Sequence, residues 1–144
     1  MKKFFNHRLG YAMAYHVVVL AAVAVPFLTL TTEITRALYV NVRIQTAVDA
    51  ACAAAVQAVD IPHFIETGEV IIEQSEAVAF AMREFSATVI ISNIQRYSPV
   101  LSSVSIINNT IAQCNGSATM IWFLGGIPPT TINVVSSAEA KARR

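Results

Sequence analysis

The residues with the most chemistry in this chain are three histidines, two cysteines and a group of acids, and their spacing decides what they can do. His7, His16 and His63 are scattered, and Cys52 and Cys114 stand far apart. Two cysteines and three histidines at these separations do not give the ligand spacing of a zinc site. The chain contains no HExxH, GxSxG, P-loop or CxxC, the short motifs that carry metalloprotease, hydrolase, phosphate-binding and redox chemistry. No Ser or Asp is placed with a base. Neither an enzyme nor a cofactor is expected. Glu66, Glu69, Glu73 and Glu76 are close in sequence, but they lack the Gly and Asp/Asn pattern of a calcium loop. The plainer reading is a solvated helix face. The two cysteines have two readings: buried thiols in a reducing compartment, or a disulfide between Cys52 and Cys114 outside a membrane. His16 has no acidic partner in its apolar surroundings, so a hydrogen-bonded His beside an interfacial Tyr15 is favoured over a proton relay.

The elements that carry these residues are dominated by one long apolar stretch. The composition is 55% hydrophobic and 13% charged, where a soluble domain has about 25% charged residues. Much of the excess sits in residues 9–32, LGYAMAYHVVVLAAVAVPFLTLTT, which hold no Asp, Glu, Lys or Arg. A bilayer crossing takes about 20 residues. Lys2, Lys3, His7 and Arg8 precede the run. The run is longer than a signal-peptide core of about 7–15 residues, so an uncleaved signal anchor is expected. Its N-terminus then lies in the cytoplasm and the remainder outside, by the positive-inside rule. Pro26 sits within the run and should bend or loosen the helix there.

Residues 33–60 continue the helix with polar residues added. Ile34, Leu38, Ile44, Val48, Cys52, Ala55 and Val59 fall near helical spacing. Residues 9–60 are therefore predicted as one long helix, roughly 78 Å at 1.5 Å per residue, against a hydrocarbon core of roughly 30 Å. Residues 47–58, AVDAACAAAVQA, are small enough for close approach of another backbone. They suit dense helix packing or a plain helix under a sheet. Asp60-Ile61-Pro62 is read as the helix stop.

The remainder, residues 61–144, is predicted as a head domain with a second helix over 69–85 and four strands. The strands are placed at 88–97, 100–113, 118–124 and 130–136. They are punctuated by Ser98-Pro99, Asn115-Gly116, Gly125-Gly126 and Pro128-Pro129. The fold class expected is α+β, with an antiparallel meander covered by residues 33–59 and the second helix. The tail 138–144 is expected to be frayed or partner-bound.

Arg8-Leu9-Gly10, the apolar run, Glu33-Ile34-Thr35-Arg36-Ala37-Leu38-Tyr39 and Arg43-Ile44-Gln45-Thr46-Ala47-Val48-Asp49-Ala50-Ala51 resemble the TadE/TadG-type proteins of tight-adherence pilus systems. The ending Ile132-Asn133-Val134-Val135-Ser136-Ser137-Ala138-Glu139-Ala140 resembles the close of that family's small domain. The resemblance implies a pilin-like protein with its head outside the cytoplasmic membrane, served by pilus assembly machinery. Pilin-like members usually carry Glu five residues after the processing Gly; here Tyr15 follows Gly10 at that distance.

The expected function is a structural subunit of a surface filament, inserted in the cytoplasmic membrane before assembly. The alternative is a membrane-anchored accessory protein of such a system. Val17, Leu20, Val23, Val25, Phe27, Leu28 and Leu30 are the expected packing residues between copies, because a run apolar on all sides must be covered on all sides. The ends are basic (Lys2, Lys3, Arg8; Lys141, Arg143, Arg144), while residues 44–82 hold acids and no Lys or Arg. Asp49, Asp60, Glu69 and Glu73 could therefore face the basic ends of another copy. No basic face with aromatic contacts is evident, so no nucleic-acid partner is expected.

Overall fold

The computed structural model describes residues 2–123 and 127–141, with side chains at residue 11 and at residues 13–123 and 127–141. The protein is α+β. Helix α1 spans Lys2–Ala55, α2 Ile61–Thr67 and α3 Gln74–Ile91; a 3-10 turn covers Gln95–Tyr97, and strands β1, β2 and β3 cover Val100–Ile107, Ile111–Met120 and Thr130–Glu139. The chain divides into two compact units, Met1–Arg36 and Ala37–Arg144.

The first unit is helix throughout its described residues. It begins at Lys2, earlier than the predicted residue 9, and continues through Pro26 without ending. Its threonine hydroxyls from Thr29 on are satisfied internally. Thr29 donates to the Val25 carbonyl at 2.8 Å, Thr31 to Phe27 at 2.9 Å and Thr32 to Leu28 at 2.8 Å. Such bonds to the carbonyl four residues back let hydroxyls sit in an apolar helix without an unmet donor.

The second unit has its own core. Residues 37–55 of α1 bury Val40, Ile44, Ala47, Val48, Ala51, Cys52 and Ala55, an i, i+4, i+7, i+8 stripe of the kind that seats a helix on one face. Ile34 and Leu38, predicted on that stripe, are instead 50% and 60% exposed. The sheet is antiparallel with order β1-β2-β3. The central strand alternates strictly, with Ala112, Cys114, Gly116, Ala118 and Met120 facing the core. These small side chains on both surfaces show why residues 47–58 are alanine-rich: the helix lies close under a sheet. From α3, Ala77, Ala81, Phe85 and Val89 complete the core, and Gln74 ties α3 to β1 through the Val104 carbonyl at 3.1 Å.

The sheet has three strands, not the predicted four. Residues 88–91, rich in β-branched side chains, extend α3, because Val89 continues its four-residue stripe and so gains burial as helix. The turn also moves. Asn115-Gly116 lies inside β2, and the chain reverses at Asn108 and Asn109, whose φ values are +52° and +61°. Asparagine tolerates this left-handed backbone better than other residues with a β-carbon. The predicted strand 100–113 therefore divides into β1 and the start of β2, and the predicted strand 118–124 is the end of β2 at Met120. Strand β3 reaches Glu139, so Ala138 and Glu139 are ladder residues, not frayed tail. The predicted Gly125-Gly126 turn lies outside the described residues.

Helix α1 ends at Ala55, short of Asp60, and α2 was not predicted. Asp60-Ile61-Pro62, predicted as a helix stop, instead starts a helix. The Asp60 carboxylate accepts the His63 backbone N–H at 3.0 Å, and Pro62 occupies the first turn, where its missing N–H costs nothing. Gly68, at φ +76°, closes α2. Helix α3 starts at Gln74, later than predicted, because the preceding segment is extended. Val59 bridges Ile72, the Asp60 N–H reaches the Ile71 carbonyl at 2.9 Å, and the Ile72 N–H reaches Asn109 at 2.8 Å.

Candidate assembly surface

The residues expected to pack between copies all project into solvent. Val17, Leu20, Val23, Val25, Phe27, Leu28 and Leu30 range from 49% exposed (Leu30) to 72% (Leu20). At about 100° per residue these positions span an arc of about 220°, and Tyr11, Tyr15, Val18 and Val19 fill the remainder, so the exposed apolar surface surrounds the helix axis. Tyr11, Met13, Tyr15, Val18 and Val19 add to the same surface. Covering a large apolar side chain is worth about 1.5–3 kcal/mol, so covering the seven packing residues from their present exposure is worth on the order of 10 kcal/mol. The His16 ring meets Tyr15 edge-on at 6.1 Å between centroids. At the far end of this unit Glu33, read from sequence as a polar position, is buried, with the Arg36 guanidinium 3.8 Å away.

The expected charge partners are in mixed situations. The side chains of Lys2, Lys3, Arg8, Arg143 and Arg144 lie outside the described residues. Lys141 lies 3.0 Å from Glu139, with both side chains well exposed, so a pairing with another copy would compete with this local pair. Asp49 accepts from Gln45 at 2.8 Å, Glu73 accepts from the Ser75 hydroxyl at 2.6 Å, and Asp60 caps α2. Asp49, Glu69 and Glu73 remain exposed. Exposed ion pairs are worth about 0–1 kcal/mol each, so these charges can align copies but not hold them. The acids at 66, 69, 73 and 76 are spread over α2, the following loop and the start of α3, and Glu76 in the first turn of α3 complements the positive end of that helix.

The two cysteines, far apart in the chain, meet in the core. Both are free and fully buried. The Cys52 thiol lies 3.4 Å from the Ala112 carbonyl and 3.4 Å from the Ser136 carbonyl. A hydrogen bond from the Cys114 thiol holds the Cys52 pKa below the ordinary thiol value, in spite of burial. The hydrogen bond to Cys52, burial and the charge on Cys52 together push Cys114 far up. The pair therefore loses its first proton from Cys52 and strongly resists losing a second. Periodicity places Cys52 on the buried stripe of α1 and Cys114 in a β-rich region, but only the register brings them together.

No family model, curated protein or solved structure matches the chain. Among the described residues, α1 is the single helix long and apolar enough to cross a membrane.

Proposed function

We propose that this chain is a structural, pilin-like subunit, of the TadE/TadG-like kind, that is held in the cytoplasmic membrane by the apolar part of α1 and then polymerises through it into a surface filament. The observation that carries this reading is the exposure of the large apolar side chains of residues 13–30 on every side of the helix. Lipid satisfies that surface before assembly, and neighbouring copies satisfy it afterwards. The second unit has a core of its own, from Val40 in α1 to Val134 in β3. The internally bonded threonines suit both environments, since neither offers water to an unmet hydroxyl. The basic start, Lys2, Lys3 and Arg8, favours an N-in, C-out orientation, with the second unit outside.

The test is fractionation with electron microscopy. Cells producing the full chain are sheared, and the released surface fraction and the membranes are probed for the chain and imaged. A subunit appears along filaments in the sheared fraction, and filaments vanish when the chain is deleted. A chain confined to membranes while filaments persist without it overturns the reading in favour of an accessory protein.

A further inference from the structure

We infer that Cys52 and Cys114 form an intramolecular disulfide when the chain folds in the presence of a disulfide oxidant, joining α1 covalently to the central strand of the sheet. The inference rests on packing inside the second unit and is independent of the filament reading. Two separate observations locate the sulfurs. First, the Cys52 thiol is held between the carbonyls of Ala112 and Ser136. Ser136 stands directly opposite Cys114 in the β2–β3 register, and Ala112 lies two residues from Cys114 on the same buried face. The two carbonyls bracket the Cys114 position.

Second, α1 comes unusually close to β2 one step away. A β-carbon added at Gly116 would fall on Cγ2 of Val48, well inside contact distance. From Val48 to Cys52 is four helical residues, about 6 Å. From Gly116 to Cys114 is two strand residues, about 6.6 Å. The steps match, so the close approach that seats Val48 over Gly116 seats Cys52 over Cys114. A disulfide needs Cα atoms about 4.4–6.8 Å apart, closer than an ordinary helix–sheet separation, and the small residues at this contact favour such an approach. The opposite pKa shifts of the two thiols, each caused first by the other, agree with that proximity. With two cysteines in the chain, one intramolecular pairing exists.

The chemistry is thiol–disulfide exchange. The Cys52 thiolate attacks one sulfur of the oxidant disulfide and releases the other as a thiol. The Cys114 sulfur then gives up its proton and attacks Cys52 Sγ, releasing the second oxidant thiol. The chain loses two S–H hydrogens and two electrons and gains one S–S bond; the oxidant disulfide becomes two thiols. Because both sulfurs are fully buried in the folded unit, exchange takes place before residues 48–55 close on the sheet, and closure then favours the internal bond over the mixed disulfide.

The experiment uses the full chain in detergent micelles, unfolded and reduced, then refolded in a buffer of reduced and oxidised glutathione. Thiols are alkylated in denaturant and counted by intact mass. The expected product is monomeric, lacks two hydrogens, takes up no alkylating agent and carries no glutathione. Its thermal midpoint should lie about 10 °C or more above that of the reduced form, given a loop of this size. Cys52→Ala and Cys114→Ala should each keep one alkylatable thiol and give no internal product. Two alkylatable thiols in the refolded wild-type chain overturn the inference. So do glutathione adducts or linked dimers as the main product, or a bridge that lowers the midpoint. The wild-type measurement decides the matter even where a single variant fails to fold.

Discussion

Replacing Gly116 by Ala should destabilise the second unit, and the size follows from three contacts. Gly116 lies in β2 with extended backbone, so its role is not conformational freedom. Loss of Gly alone would favour the variant by about 0.4–1 kcal/mol, because Ala restricts the unfolded chain. Against this, the new methyl collides with Cγ2 of Val48, lies 3.4 Å from the Val100 carbonyl and 3.8 Å from Cγ2 of Val134. Val48 cannot swing aside: it is fully buried, and a β-branched residue in a helix has one strongly preferred rotamer. The helix must lift from the sheet, and overpacking of this kind costs about 1–3 kcal/mol. The upper end applies, since the lift also loosens Ala51, Cys52 and Ala55 in the same core. The net expectation is a loss of about 1–2 kcal/mol.

Denaturant unfolding of the full chain in micelles, followed by the loss of β signal in circular dichroism, measures it. A second variant identifies the cause. Val48→Ala removes the struck methyl, so Gly116→Ala should cost less in that background, with a coupling of about 1 kcal/mol or more. A Gly116→Ala chain as stable as the wild type, or identical costs in both backgrounds, refutes the close approach of α1 to β2.

Other expectations follow from single contacts. Asp60→Ala removes the α2 cap and should lower stability by about 0.5–2 kcal/mol; an unchanged denaturation midpoint would deny the cap any part in the fold. Asn109→Val forces a β-branched residue into a left-handed turn and should cost about 1–2 kcal/mol, whereas Asn109→Gly should be neutral or better in the same assay. Leu20→Lys places a charge amid the apolar run, at about 2.5–3.5 kcal/mol on insertion scales. Membrane-integrated chain and filament yield should both fall, and normal yields of both would contradict the assembly surface. Lys141→Glu breaks only an exposed pair and should change stability by less than about 1 kcal/mol.

The legible parts of the fold are those where one local signal acts alone. Residues 9–32 read as an apolar helix because nothing in them competes: no charge, one proline, and a length that suits a bilayer. The stripe from Ile44 to Ala55 read correctly because helical spacing and burial coincide there. Ile34 and Leu38 misled because spacing says which residues share a face, not how far along the helix the cover extends. The exposed apolar residues of that run were legible for the same reason, whereas the Cys52–Cys114 contact depends on a register that no local pattern encodes.

The misplaced turn shows where local reading gives out. Asn108-Asn109 and Asn115-Gly116 are both sound turn signals, and Asn-Gly is the stronger of the two. A hairpin reversing at Asn115-Gly116 would break β2 after Asn115. Ala118 and Met120 would then lose their places on the face that also carries Ala112 and Cys114. It would also remove the one residue without a side chain from the point where Val48 needs room. Reversal at Asn108-Asn109 keeps all five positions of β2 on one face and leaves Gly116 under the helix. The choice between two permissible turns was therefore made by α1, a helix some sixty residues earlier in the chain. Gly116 is a glycine for packing reasons that a local reading assigns to a bend.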